Sequence, residues 1–158
     1  DPVNLQRAAR LLRQLHATPL AGPALDMGEA IGRYAATAGA AAGERAAAAR
    51  AEWGRCQAGP AEERCFCHHD PTPGNFIVSP GGELRLIDWE YAGLGYPGFD
   101  LAGLAVGAGL AGDGVRRLHA TYRGRASTPA EITRHRAWEA LYRGLSGLWQ
   151  AALDARRV

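Results

Sequence analysis

The sequence has no lysine: all 18 of its basic residues are arginine. They are scattered, and 16 acidic residues bring the net charge to only +2, so no strong field gathers nucleic acid. Cysteine is scarce too. Three residues, an odd number, exclude a disulfide framework and suit a reducing compartment, which points to the cytoplasm. No apolar run reaches the length of a membrane span, and no stretch reads as a signal peptide. No strand-rich section precedes the first helical pattern. The chain opens Asp1-Pro2 rather than on Met, and the expectation is a fragment or a processed product. What remains is an ordinary globular balance. With 158 residues, 47% hydrophobic and 22% charged, the chain is long enough for one domain with a real core.

The stretch from Arg64 to Leu101 carries the chemistry. His68, Asp70 and Asn75 stand in the pattern H-x-D-x-x-x-x-N, and Asp88 closes a later apolar run. Phe76–Val78 and Leu84–Ile87 are β-prone runs around Pro80-Gly81-Gly82-Glu83. Paired glycines tolerate positive φ at both centres of a tight hairpin turn. A reversal between Gly81 and Gly82 sets Val78 opposite Arg85, Ile77 opposite Leu86 and Asn75 opposite Asp88. Opposed residues sit about 5 Å apart, so an amide oxygen and a carboxylate share one face. Such hard oxygens suit Mg²⁺, which completes its shell with water and phosphate. Asp70, at the loop entrance, is placed to orient or deprotonate an attacking hydroxyl. Singly, Asp, Asn, Pro and Gly are ordinary loop residues. Four polar residues in this order, joined by a hairpin of matching length, point to a phosphoryl-transfer site.

FCHHDPTPGNFIV, LIDWEYAGLGYPGFDLA and the later GLW resemble the choline/ethanolamine kinase branch of the aminoglycoside phosphotransferase-like kinases. The resemblance covers most of the chain and corresponds to the C-terminal lobe of such a kinase. It implies a mainly helical α+β fold, with a small β-hairpin carrying the metal-binding residues. It implies Asp70 as catalytic base, Asn75 and Asp88 as Mg²⁺ ligands, His68 as a brace for the loop, and Asp100 as a helix-start residue supporting the site. Kinases of this type also use an N-terminal lobe whose lysine holds the ATP phosphates, and neither is present. The expectation is therefore a C-terminal lobe over 1–158 without its nucleotide-binding lobe, with little or no kinase activity by itself.

Elsewhere the chain reads as helices. Leu5, Ala8, Leu12 and Leu15 give Val3–Thr18 one apolar face, with Asp1 or Asn4 as cap. His16 reads as a C-terminal residue favoured by the helix dipole. The segment Asp26–Cys56 reads as one broken helix or two, with Tyr34 and Trp53 in the core, and Ala58-Gly59-Pro60 ends it. Cys65, Cys67, His68 and His69 have poor spacing for structural zinc, and the cysteines read as small buried hydrophobes. Gly93–Gly98 reads as a loop. Asp100 reads as the cap of a helix over Leu101–Leu110, and a second helix follows over Val115–Tyr122. Thr128-Pro129-Ala130-Glu131 is a capping box opening a long helix to about Arg156, with a kink expected near Gly144 or Gly147.

Asp70, Asp88 and Glu90 concentrate negative charge near Trp89 and Tyr91. An acidic, aromatic-lined site suits a cation. Choline, ethanolamine, thiamine and aminoglycosides all qualify as acceptors, with ATP as donor. Trp89-Glu90 after the metal Asp departs from the protein-kinase pattern. Ser146-Gly147-Leu148-Trp149 resembles a W-G-L-W segment of the aromatic box in choline kinases, so Trp149 is carried over and Ser146 is not. The implied partners are a small cationic alcohol, ATP and the parent's N-terminal lobe. A homo-oligomer is compatible with the sequence, and neither nucleic acid nor membrane is implied. An aminoglycoside-modifying enzyme and a non-catalytic binding lobe stay open as rivals.

Overall fold

A computed structural model describes residues 2–58 and 62–157. Six α-helices and four short strands follow in the order α1 (Pro2–Ala17), α2 (Met27–Ala38), α3 (Gly43–Gln57), β1 (Cys65–Cys67), β2 (Phe76–Val78), β3 (Leu84–Leu86), β4 (Gly93–Gly95), α4 (Pro97–Gly107), α5 (Asp113–Arg123) and α6 (Pro129–Ala155). The fold is α+β, mainly α.

Two apolar clusters hold it together. In one, Met27 and Ile31 of α2, Ala46 and Ala49 of α3, and Phe99 of α4 pack on Trp138, Leu141 and Leu148 of α6. In the other, Ala9 and Leu12 of α1 meet Leu86, Leu101, Leu104 and Leu118. Helix α4 contributes to both, which explains why nearly all of its residues are buried. Truncating a fully buried leucine such as Leu141 costs about 2–5 kcal/mol.

The helix signals are realised with shifted ends. Asn4 lies inside the first turn of α1 and accepts from Arg7 at 3.2 Å, so it is not the cap; Asp1 lies outside the described residues. The segment from Asp26 is two helices. Asp26 caps α2 through the Glu29 N–H, and Gly39, at φ 80°, breaks the chain before α3. Gly59 and Pro60 of the expected break lie outside the described residues. Helix α4 starts at Pro97, earlier than expected, because Pro at the first position favours helix entry. Asp100 therefore sits in its first turn rather than at its cap. The Thr128–Glu131 capping box is present, and α6 runs as one helix of 27 residues. Gly144 is a packing position, where a Cβ would lie 3.4 Å from Ala49 Cβ.

The hairpin differs from its expected register by one residue. Phe76 pairs with Leu86, Ile77 with Arg85 and Val78 with Leu84. The turn is a three-residue connection: Gly82 N–H bonds Ser79 O, and Ser79 N–H bonds Glu83 O, each at 2.8 Å. Of the paired glycines, Gly82 takes a positive φ of 82° and Gly81 does not. This matches a turn closed by a left-handed residue, which adds one residue to the loop. Gly93–Gly95, expected as loop, is strand β4 and pairs antiparallel with β1. Close approach explains the glycines: a Cβ at Gly95 would overlap His69 Nε2, and one at Gly93 would overlap Pro23 O.

Candidate active site

The loop after β1 is held by buried polar contacts. Asp100, 0% exposed, accepts the backbone N–H groups of His68 and His69 at 2.8 Å each. Its second oxygen also accepts from His16 Nε2 at 3.0 Å. Burial alone raises a carboxyl pKa. Here the hydrogen bond from His16, with that from the His68 amide, outweighs it and holds Asp100 below the usual range. His16, in the last turn of α1 as expected, faces inward as an anchor, and its Nδ1 meets Tyr122 Oη at 2.8 Å.

The histidine side chains fix the next layer. His68 Nε2 donates to Ile87 O at 2.8 Å, which leaves Nδ1 to accept the Asp70 N–H at 3.3 Å. His68 therefore braces the loop against the end of β3. His69 takes a left-handed φ of 68° and bonds Tyr91 O through Nδ1 at 2.8 Å. Burial pushes its pKa below the ordinary histidine value.

These braces present Asp70. Its Oδ1 accepts from Tyr142 Oη at 2.9 Å, and its Oδ2 from Asn75 Nδ2 at 3.1 Å. Asn75 Nδ2 also bonds Asp70 O at 2.8 Å, closing the loop on itself. Burial and the Asp70 charge push the Tyr142 phenol pKa up, so the phenol stays protonated and donates.

Asn75 is opposed by Ile87, whose N–H bonds Asn75 O at 2.9 Å, and not by Asp88. Asp88 lies one residue past that rung, exposed, at a φ of 66°. A non-glycine residue in this region is uncommon, although Asp is among those that tolerate it. Both its neighbours are tied to the loop: Ile87 through His68, and Trp89 by an edge contact to the His68 ring at 4.8 Å. The Asn75 NH₂ is engaged by Asp70, so Oδ1 is the atom of that side chain that could meet a cation, and the Asp88 carboxylate is exposed. Both are hard oxygens and fit Mg²⁺.

Asp70 forms part of the wall of a cavity of about 250 Å³. Tyr34, Tyr91, Phe99, Tyr142 and Trp149 supply aromatic walls, and Arg33 and Ser146 also line it. Of the residues expected to hold substrate, Trp149 and Tyr91 are there and Trp89 is not; Trp89 covers His68 instead. Glu90 is exposed and absent from the lining. Tyr34 and Trp53, read as core, both pack against the first cluster; Tyr34 also lines the cavity, and Trp53 meets Trp138 and Tyr96. Tyr142 was not among the expected site residues. Its signal lay in its spacing, one turn before Ser146 and two before Trp149.

The profile of the phosphotransferase enzyme family matches residues 2–138. The chain belongs to that family. No curated protein sequence matches it. Solved structures share its fold. A choline/ethanolamine kinase family protein from Mesorhizobium loti superposes with a TM-score of 0.82 at 24% identity, over 99% of this chain and 56% of its own. The choline kinase of Streptococcus pneumoniae gives 0.79 at 24%, over 98% and 57%. An ethanolamine kinase of Plasmodium vivax gives 0.76 at 14%, over 100% and 55%. This phosphotransferase chain thus spans just over half the length of these proteins, and its fold is that of a kinase-like C-terminal lobe. The S. pneumoniae choline kinase has also been solved in complex with AMP. Among the described residues no helix is long and apolar enough to cross a membrane.

Proposed function

We propose that this chain is the substrate-side lobe of a kinase that transfers the γ-phosphoryl group of ATP to the hydroxyl of a small cationic amino-alcohol, choline or ethanolamine in the first instance. One observation carries the reading: a carboxylate with both oxygens oriented, Asp70, opens onto an aromatic cavity in a chain of the phosphotransferase family.

In this reading Asp70 is the base. The acceptor oxygen forms a bond to phosphorus as the bond to the ADP oxygen breaks, and the acceptor proton passes to Asp70. Tyr142 and Asn75 fix the carboxylate before substrate arrives, so little reorganisation is needed during transfer. Asn75 Oδ1 and Asp88 would hold Mg²⁺, which supplies charge neutralisation on the phosphates. Tyr91, Tyr34 and Trp149 offer ring faces to the cationic end of the acceptor, worth about 0.5–2 kcal/mol per contact. Without a lysine to clamp the phosphates, the 158-residue chain by itself turns over little or no ATP. The rest of the clamp would come from an N-terminal lobe. Three free cysteines support a reducing compartment, the cytoplasm.

The test is a panel of amino-alcohols, thiamine and aminoglycosides, assayed with ATP and Mg²⁺ on the complete protein that contains this lobe. Turnover of choline or ethanolamine, lost in Asp70→Asn, supports the reading. Turnover of aminoglycosides or thiamine alone replaces the acceptor. Absence of any transfer leaves a binding lobe.

A further inference from the structure

Strand geometry turns Cys65 and Cys67 to the same side of β1, and their sulfurs lie 3.6 Å apart. His16, in the last turn of α1, reaches the same spot. One ring nitrogen and the two sulfurs all lie within 4.8 Å of one another, the one such group of three among the described residues. The sequence argument against zinc weighed His68 and His69. Neither belongs to this group. The third donor comes from a helix far away in the sequence.

The ring of His16 is already set as that of a metal ligand. Asp100 is an ionised, fully buried carboxylate and accepts the Nε2–H. The tautomer is then fixed, with the lone pair on Nδ1, where the Tyr122 hydroxyl donates to it at 2.8 Å. Metal-binding histidines characteristically give their other N–H to a carboxylate in this way. Displacing the Tyr122 hydroxyl is all that frees Nδ1. The sulfur spacing agrees: two thiolates at about 2.3 Å from a tetrahedral ion lie about 3.8 Å apart. A disulfide needs about 2.05 Å.

We propose that His16, Cys65 and Cys67 form a binding site for a thiophilic divalent ion, Zn²⁺ foremost, through His16 Nδ1 and the two sulfurs, with water in the fourth position. Each thiol releases its proton as the ion binds. Cys65 is partly exposed and gives the ion its way in, while Cys67 is buried. The site lies outside the catalytic cavity, yet Asp100 joins the two: the carboxylate that orients His16 also holds the amides of His68 and His69. An ion here ties α1 and β1 to the base of the loop that presents Asp70.

Titration of the reduced 158-residue chain with Co²⁺ tests this without any kinase assay. The expected result is one equivalent bound, with sulfur-to-cobalt charge transfer and the visible bands of a tetrahedral ion, both displaced by Zn²⁺. Cys65→Ser, at a partly exposed position that folding tolerates, weakens binding at least about tenfold. In the unaltered chain, Zn²⁺ slows alkylation of Cys65, read by mass spectrometry. An octahedral spectrum without charge transfer, equal affinity in Cys65→Ser, or alkylation of Cys65 at an unchanged rate overturns the site.

Discussion

Tyr142 and Asp70, 72 residues apart, meet in a hydrogen bond of 2.9 Å between phenol and carboxylate. The bond joins the middle of the last helix to the loop after the first strand. In the complete kinase, Tyr142→Phe keeps the ring and removes only the hydroxyl. The expected outcome is a kcat about tenfold lower, equivalent to about 1.4 kcal/mol, with the KM for ATP unchanged. Steady-state kinetics decide it: an unchanged kcat removes Tyr142 from any part in positioning the base.

Arg33 and Trp149 line the same cavity, and under the proposed function they act oppositely on a cationic acceptor. The Arg33 guanidinium lies over the Tyr34 ring, 5.3 Å from its centroid, where a substrate cation would also settle. Arg33→Ala should lower the acceptor KM several-fold, and Trp149→Ala should raise it, each leaving the KM for ATP alone. If Arg33→Ala instead raises the acceptor KM, the acceptor carries an anionic group and the amino-alcohol assignment is wrong.

Acid should loosen the fold through two histidines. His119 and His135 are buried with their rings 4.5 Å apart. Burial holds them at pKa values of about 4 and about 3. His135 Nε2 lies 3.4 Å from Glu139 Oε1, but the ring is uncharged at neutral pH and the contact is not then an ion pair. Unfolded, both titrate near 6.5, so between about pH 6.5 and 4 the unfolded chain binds more protons than the folded one. Stability is therefore complete above about pH 6.5 and falls by a few kcal/mol as pH drops towards 4. Urea unfolding across that range checks it, and His119→Gln combined with His135→Leu should flatten the profile.

Two glycines in different settings should respond oppositely to alanine. At Gly95 the new methyl meets the His69 ring, so Gly95→Ala should cost about 1–3 kcal/mol. At Gly54, exposed on α3 with nothing within 4 Å, alanine should add about 0.5–1 kcal/mol. Denaturant midpoints measured side by side settle both, and equal shifts would falsify the close-approach account of β4.

The order His68, Asp70, Asn75, Asp88 was legible because each residue type has a chemical task and the spacing is local. The register between Asn75 and Asp88 was not. It turned on which glycine of a pair adopts positive φ, and sequence treats Gly81 and Gly82 alike. The helices declared themselves through apolar period and through caps such as Thr128. Strand β4 did not, since glycine disfavours strands and is present here to admit Pro23 and His69 at short range. His16 and Tyr122 were also hidden: 106 residues separate them, and only the folded chain brings them to Asp100 and to the sulfurs of β1.

Helix α6 is one uninterrupted rod, and His135 and Trp149 stand about 21 Å apart along it. The half that buries His135 and the half that lines the aromatic cavity are therefore joined by one continuous hydrogen-bonded backbone. Folded, the buried imidazoles of His119 and His135 take up protons only near pH 4 and below, so the rod stays undistorted through mild acid. Distortion of the aromatic cavity by these two histidines should therefore coincide with unfolding, as read by circular dichroism.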